Sequence, residues 1–211
     1  MKIHVLPAGP IQTNGYLLTS PELKEAVLID APGGIWAEIK PILAKEKCAL
    51  RELWITHGHW DHTQGGAEVV AATGARVRAH RDDRILIETP DVMKTFLIPG
   101  IRLDPMKVDE FVEQGQRWTA LGETVEVRHV PGHCPGSVAF YFAETKAVFV
   151  GDALFQGSVG RTDLPGGSFE TLERSIREQL YSLPDDTIVY PGHGPETLIG
   201  VERETNPYIN G

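Results

Sequence analysis

The chain has 211 residues, of which 41% are hydrophobic and 23% are charged, and its formal net charge is −9. These fractions are those of a folded globular protein, and the length predicts a single domain over residues 1–211. The acidic charge argues against binding to nucleic acid or to an anionic membrane surface, and no apolar run approaches the roughly 20 residues that span a bilayer.

The first half of the chain alternates short β-rich runs with helical patterns. Residues 36–46 carry apolar side chains at helical spacing, although Pro41 should kink or delay that helix. Residues 67–73 are predicted to form the next helix. Strands are predicted at residues 3–6, 16–19, 26–30, 52–56 and 76–79.

Residues 90–107 interrupt this alternation with an apolar, proline-containing segment. We predict a loop packed on the body of the domain, and a rim or lid over the site or a dimer contact is the alternative. The second half then returns to the strand pattern, without a low-complexity linker. Strands are predicted at residues 125–130, 137–142, 147–150 and 187–190, and helices at 169–180, with Ser168 as N-cap, and at 197–204.

The two cysteines, Cys48 and Cys134, lie far apart in the sequence. They support neither a disulfide framework nor a cysteine-rich zinc module. The N-terminal residues lead directly into a predicted strand and lack the apolar core of a signal peptide. We therefore expect a cytoplasmic protein that is not associated with a membrane.

Four side chains that can ligate metals follow the apolar run 53–55 within six positions: His57, His59, Asp61 and His62. At this spacing they do not share one face of a helix. On a turn after a strand, with Gly58 free to adopt positive φ, they can surround a small volume. Imidazole and carboxylate ligands together suit zinc, iron or manganese.

Three further ligand-type residues, His133, Asp152 and His193, each follow a β-rich run and a glycine. Side chains at strand ends project from a rigid sheet into a shared cleft. The full set therefore contains five imidazoles and two carboxylates. That number is too large for one tetrahedral ion and suits two ions that share a bridging ligand.

These motifs resemble those of the metallo-β-lactamase superfamily, and within it the small glyoxalase II-like (hydroxyacylglutathione hydrolase-like) proteins. The resemblance implies an α/β (α+β) fold, a four-layer αββα sandwich, with Asp61 and Asp152 as catalytic residues. It also implies a first ligand set of His57, His59 and His133, a second ligand set of Asp61, His62 and His193, and Asp152 as the bridge between two metal ions. The segments that carry it are His57–His62, Asn14-Gly15-Tyr16-Leu17, Leu28-Ile29-Asp30, Pro131-Gly132-His133, Gly151-Asp152, Gly160-Arg161-Thr162-Asp163 and Pro191-Gly192-His193-Gly194.

The resemblance implies hydrolysis of S-D-lactoylglutathione or a related small-molecule thioester by a hydroxide held between two divalent ions. Zinc is the expected metal, with iron or manganese as alternatives, and the chain is expected to be a monomer or homodimer. A thiolate, with a conjugate-acid pKa of about 8.5, leaves with little protonation, whereas an amine or alkoxide needs a positioned acid. No tyrosine, lysine or spare histidine lies within two residues of a candidate ligand, which favours a thioester substrate.

The chain also departs from glyoxalase II. The helical C-terminal region that helps hold glutathione has no counterpart after His193, and Arg161-Thr162-Asp163 replaces a glutathione-binding Lys-x-Tyr pattern. Arg161 is predicted to bind a substrate carboxylate or, alternatively, to pair with Asp163. Asp30 is a candidate partner for a ligand imidazole, or a turn cap.

Two other activities of the same fold stay open. A lactonase or another ester hydrolase would use every one of these ligands. A persulfide dioxygenase would hold a single iron on His57, His133 and Asp152, and the Gly-Arg-Thr-Asp stretch is compatible with it, although the following Leu164-Pro165-Gly166-Gly167 favours the hydrolases.

Overall fold

The computed structural model describes residues 1–210. Six strands of the first half form one sheet in sequential order, with the first three antiparallel and the later neighbours parallel. They are β1 (Lys2–Ala8), β2 (Thr13–Ser20), β3 (Glu25–Ile29), β4 (Ala49–Trp54), β5 (Arg76–His80) and β6 (Glu110–Val112).

The strands of the second half form a second six-stranded sheet and a separate two-stranded pair. They are β7 (Arg117–Ala120), β8 (Glu123–His129), β9 (Val138–Phe142), β10 (Ala147–Gly151), β11 (Leu154–Phe155), β12 (Ser158–Val159), β13 (Ile188–Pro191) and β14 (Thr197–Leu198). The second sheet has the order β14-β13-β10-β9-β8-β7, in which only β10 and β13 are parallel, and β11 pairs with β12.

Alternating side chains along the buried strands divide the apolar residues into separate cores, because successive side chains of a strand face opposite ways. On β2, Leu17 packs outward with Ile35 and Ile39 of a helix, whereas Leu18 packs inward between the sheets. A third core lies outside the second sheet and includes Leu172. The result is four layers, helix–sheet–sheet–helix, so the predicted αββα sandwich is confirmed.

The helices cover the outer faces of both sheets or lie near the strand ends. They are α1 (Ile35–Glu46), α2 (Trp60–Thr63), α3 (Gly66–Thr73), α4 (Arg84–Glu88), α5 (Phe169–Ser175) and α6 (Ile199–Thr205), with 3-10 turns at Arg81–Asp83 and Pro90–Phe96 and a π-helical turn at Ile176–Leu180. Ser168 accepts a hydrogen bond from the Thr171 N–H, which confirms it as the N-cap of α5. Within residues 1–210, every helix is too short or too polar to cross a bilayer.

Two local predictions were wrong in part. Pro41 lies inside α1, which begins at Ile35, so the delay that was one of its two predicted effects does not occur. The ligand-bearing segment is not wholly a turn, because residues 60–63 form α2. A single helical turn can present Asp61 and His62 on adjacent sides, and His59 at its N-cap is still extended, with φ −63° and ψ 149°. Only part of the motif is helical, so the four side chains do not share one helical face, as the spacing predicted.

Candidate metal centre

All seven predicted ligand side chains meet where ends of strands from the two sheets face each other. From the first sheet, His57 follows β4, His59 caps α2, and Asp61 and His62 lie within α2. From the second sheet, His133 follows β8, Asp152 follows β10 and His193 follows β13. The centre therefore depends on both sheets.

The side chains of the first ligand set direct their ring nitrogens at one point. His133 Nε2 lies 3.2 Å from His57 Nε2 and 2.9 Å from His59 Nδ1. Nitrogens bound to one tetrahedral zinc ion at about 2.0–2.1 Å would lie about 3.3 Å apart. The spacing of these three imidazoles therefore fits a single ion.

The second ligand set has the same spacing, and Asp152 reaches both sets. Asp61 Oδ2 lies 3.3 Å from His62 Nε2 and 3.2 Å from His193 Nε2. Asp152 Oδ1 lies 3.2 Å from His62 Nε2, while its Oδ2 lies 3.6 Å from His193 Nε2 and 3.7 Å from His133 Nε2. This position between the sets is the one expected of a bridging carboxylate.

Hydrogen bonds on the far side of three rings fix their orientation. The Nδ1 atoms of His57, His62 and His133 lie 3.2 Å from Thr56 Oγ1, 2.8 Å from Asp30 Oδ2 and 2.8 Å from the Arg161 carbonyl oxygen, respectively. When each Nδ1–H donates to its oxygen, the Nε2 lone pair is left facing the centre.

Two buried polar atoms at the centre, His62 Nε2 and Asp152 Oδ1, lie 3.2 Å apart but do not have the geometry of a hydrogen bond to each other or to another group. Leaving such atoms unpaired is unfavourable, and a cation that both could ligate removes that penalty. Together with the ring orientations and the ligand spacing, this observation shows that the residues fit a divalent cation at the centre. Their role as metal ligands stays a prediction.

The pKa values of the imidazoles are shifted in different directions in the two ligand sets. Burial, and then the neighbouring His133, lower the pKa of His59 to about 4, so that its ring is neutral. Burial works against ionisation of Asp61, but the adjacent His62 holds the pKa of that carboxyl below its usual range. Burial likewise disfavours a charged His62, yet Asp61 and Asp152 raise the pKa of this imidazole well above its usual value. His59 is therefore neutral, whereas the metal-free second set holds a protonated His62 between ionised carboxylates, and a cation that displaces this proton would take over its place beside them.

Asp30 follows β3 and connects candidate ligands of both sets. It contacts His62 directly and reaches His57 through the Thr56 hydroxyl. Its carboxylate accepts hydrogen bonds from the Thr56 N–H at 2.8 Å and the Thr56 hydroxyl at 2.7 Å, and it contacts His62 Nδ1. Asp30 adopts φ 58°, a left-handed conformation that aspartate tolerates better than most residues. The structure therefore supports the first of its two predicted roles, that of a partner for a ligand imidazole.

A second buried carboxylate, Asp83, joins the two loops that carry the first ligand set. Its Oδ2 accepts the Gly58 N–H at 2.7 Å, and its Oδ1 accepts the Gly136 N–H at 2.7 Å. The Cys134 thiol donates to Oδ1 at 3.2 Å, and burial raises the pKa of that thiol. Cys134 therefore donates to a carboxylate that supports the centre, and it belongs to neither ligand set.

Close packing explains two of the glycines beside the candidate ligands. A Cβ at Gly58 would lie 2.7 Å from the Leu86 Cβ, and Gly58 does not adopt positive φ, so the predicted conformational reason was wrong. A Cβ at Gly192 would lie 2.1 Å from Asp152 Oδ1. Both positions are restricted to glycine because another group occupies the space of the side chain.

Residues of β2 hold the loop that carries His193. The Asn14 side-chain amide donates to the carbonyl oxygens of Pro191 and Gly194, both at 3.0 Å. The Tyr16 hydroxyl donates to the same Pro191 carbonyl at 2.5 Å. The Asn14-Gly15-Tyr16 segment thereby positions a ligand that is distant in sequence.

A cavity of about 550 Å³ opens onto the ligands, within the range of small-molecule sites. Trp60, between the ligand pairs, forms part of its wall. So do Val92, Met93 and Phe96 of the segment predicted to be a packed loop. The Pro90–Phe96 turn therefore forms part of the rim of the site, which was the alternative prediction, while its Pro90 and Met93 are buried against the body of the domain.

Arg161 also lines this cavity, while its guanidinium pairs with Asp163. Nε and Nη2 donate to the two carboxylate oxygens, each at 2.7 Å. The predicted salt bridge is therefore present, and substrate binding by Arg161 stays a prediction.

Several residues that support the centre were not predicted from the sequence. Thr13 donates its hydroxyl to Asp61 Oδ2 at 2.8 Å, and Asp83 follows β5. A signal for Asp83 existed, because parallel strands place their carboxyl ends at one edge and β5 is parallel to the strand that precedes His57. Thr13 and the apolar wall carry no comparable pattern.

A two-sheet sandwich with histidines and carboxylates gathered at its strand ends is the arrangement of a metal-dependent enzyme. The chain belongs to the metallo-beta-lactamase superfamily, whose family model matches residues 8–193. It is 37% identical to the hydroxyacylglutathione hydrolase GloC of Haemophilus influenzae, over 100% of this chain and 99% of the relative.

Two solved structures cover nearly the whole chain. The crystal structure of BLEG-1 B3 metallo-beta-lactamase matches with a TM-score of 0.91 and 37% identity, covering 100% of each chain. TTHA1623 in a di-iron-bound form matches with a TM-score of 0.84 and 38% identity, over 98% of this chain and 100% of the other. The superfamily is metal-dependent, and the chain is a hydrolase of that superfamily.

Proposed function

We propose that the protein is a thioester hydrolase of the glyoxalase II type that uses two divalent metal ions. The observation that carries this proposal is the wall of the cavity, which in the described part of the chain contains neither lysine nor tyrosine. Its histidines, His59, His133 and His193, all belong to the ligand sets. The site therefore lacks a free side chain that could protonate a poor leaving group.

A thioester suits such a site. Water adds its oxygen to the acyl carbon, the carbon–sulfur bond breaks with its electron pair on sulfur, and the products are a carboxylate, a thiol and a proton. A thiolate has a conjugate-acid pKa of about 8.5 and departs without an acid, whereas an amine or alkoxide usually needs one. The relative named hydroxyacylglutathione hydrolase supports the same reaction class.

The chain's own residues have separate tasks in this proposal. The first and second ligand sets would hold one ion each, and the Asp152 carboxylate lies within reach of both sets. Bound ions would supply Lewis acidity, lowering the pKa of water and polarising the acyl oxygen. Asp61 is kept ionised, and the Thr13 hydroxyl fixes its orientation, so that it can orient the attacking water as well as ligate. Zinc is our proposed metal, and the di-iron-bound form of TTHA1623 supports iron as the alternative.

Metal analysis combined with a thioester assay tests the proposal. We expect about two metal equivalents per chain and hydrolysis of S-D-lactoylglutathione or another thioester. Asp152→Ala should lower turnover at least about 100-fold, because even the partners of metal ligands change activity 10- to 100-fold. The control is Asp186→Ala, which removes an exposed carboxylate that pairs with Lys146, and circular dichroism checks that both variants fold.

Other outcomes would replace the proposal. One tightly held iron with oxygen-dependent persulfide turnover would favour the dioxygenase. Good activity on lactones or β-lactams with none on thioesters would favour another hydrolase of the fold. A metal-loaded protein inert towards all of these substrates would favour a binding role.

A further inference from the structure

Apolar side chains from separate parts of the chain form most of the cavity wall. They come from the loop after β1, from α2, from α4, from the Pro90–Phe96 turn and from the segment after β12. The residues are Ile11, Trp60, Leu86, Val92, Phe96 and Leu164.

Three of these side chains are unusually open to solvent for their size. Ile11 is 42% exposed, Val92 46% and Phe96 49%. Single exposed apolar residues are normal on a protein surface, but a group of them around one cavity marks a surface that an apolar ligand covers. The cavity also contains Asp61 and Asp152, so whatever covers this wall lies next to the metal-ligand side chains.

The charges of the cavity do not suit a glutathione thioester. Among the described residues of its wall, Arg161 is the only lysine or arginine, and two of its nitrogens are bound by Asp163. Glutathione carries two carboxylates and one ammonium group in its thioesters. Burying such charges without matched partners is unfavourable, and a wall of apolar side chains offers no partners.

From the apolar wall and the single paired cation, we infer that the preferred substrates are thioesters with an apolar, uncharged body, and that glutathione thioesters are poor ones. This inference rests on the proposed thioesterase function. Each methylene moved from water onto an apolar wall should raise kcat/KM about fourfold.

Thioesters that differ in the length of the apolar chain test the inference on the metal-loaded protein. S-acetyl-N-acetylcysteamine is the short, neutral reference. S-hexanoyl-N-acetylcysteamine and S-acetylhexanethiol extend the acyl side and the thiol side, and S-D-lactoylglutathione is the charged comparison. We expect at least one extended thioester to exceed both the reference and the glutathione thioester about tenfold or more in kcat/KM.

Variants of the cavity wall test whether these side chains cause the increase in kcat/KM with chain length. Val92→Ser and Phe96→Ala should reduce the ratio of kcat/KM for the extended thioester to kcat/KM for the acetyl reference about fourfold or more. Matched controls are Val201→Ser and Phe169→Ala, because Val201 is 45% and Phe169 42% exposed and neither lines the cavity. In these control variants, the increase in kcat/KM with chain length should equal that of the parent protein.

A binding measurement separates recognition from turnover. Calorimetric titration of the metal-loaded protein with the uncleavable thioether S-hexyl-N-acetylcysteamine should show binding that Phe96→Ala weakens and Phe169→Ala does not. The inference is overturned, with the thioesterase proposal intact, if S-D-lactoylglutathione is the better substrate or if chain length has no effect. Hydrolysis of no thioester at all overturns both.

Discussion

At the scale of single residues, Asp83 shows how much of the centre depends on groups outside the ligand sets. One carboxylate accepts backbone N–H groups from Gly58 and Gly136, which adjoin the loops of His57, His59 and His133. An asparagine has only one acceptor oxygen at this position. At least one buried N–H would then lose its partner.

We therefore predict that Asp83→Asn lowers the free energy of unfolding by about 1–3 kcal/mol, the penalty for one buried unsatisfied group. It should also weaken metal binding at the first ligand set more than at the second. Denaturant titration and chelator competition measure the two effects. Asp82→Asn is the matched control, because it removes the same charge from an exposed neighbour and should stay within about 0.5 kcal/mol of the parent protein. If Asp83→Asn and Asp82→Asn change the free energy of unfolding and metal binding equally, Asp83 does not hold these loops.

At the scale of elements, the separation of the two sheets determines the distances between ligands. Trp54, the last residue of β4, is fully buried between the sheets. Its ring centroid lies 5.2 Å from that of Trp118 and 5.0 Å from that of Phe140, both in the second sheet. The residues that follow β4 include His57, so this aromatic contact anchors the first sheet close to the centre.

Trp54→Ala should destabilise the protein by about 3–5 kcal/mol, as large-to-small changes in a core do. Metal affinity of the folded protein should fall at both ligand sets together, since Asp152 and His193 approach from the opposite sheet. Trp36→Ala on the outer face of α1 serves as the comparison, because Trp36 is only partly buried and packs on the core away from the centre. Unchanged metal affinity in Trp54→Ala would mean that the ligand loops hold their positions without this contact.

The sequence predicted long elements well and short ones poorly, for a physical reason. The strands and helices with repeated apolar spacing, such as α1 and β9, lie where they were expected. The turn over the cavity at Pro90–Phe96 and the short strands β11 and β12 depend on tertiary contacts that leave no period in the sequence. The candidate ligands could be selected from the sequence because histidines and carboxylates cluster after strands, whereas Thr13 and the apolar wall meet the centre only in three dimensions.

At the scale of the whole molecule, none of the three apolar cores includes a candidate metal-ligand side chain. The metal-free protein should therefore fold. Its centre nevertheless keeps buried, partnerless atoms at His62 Nε2 and Asp152 Oδ1, which a cation would satisfy. Ligands that bind only the folded state stabilise it in proportion to the logarithm of their concentration.

Removal of metal should thus lower the melting temperature without loss of secondary structure. At a free metal concentration 100 times Kd, each ion contributes about 2.7 kcal/mol. For a chain of this length, that corresponds to a rise of about 5–11 °C per ion. Calorimetric scans of chelator-treated protein, titrated with zinc or iron(II), measure this dependence. Asp152→Asn should show a smaller rise because the bridge is weakened, and a melting temperature that is independent of metal would contradict the assignment of these side chains as ligands.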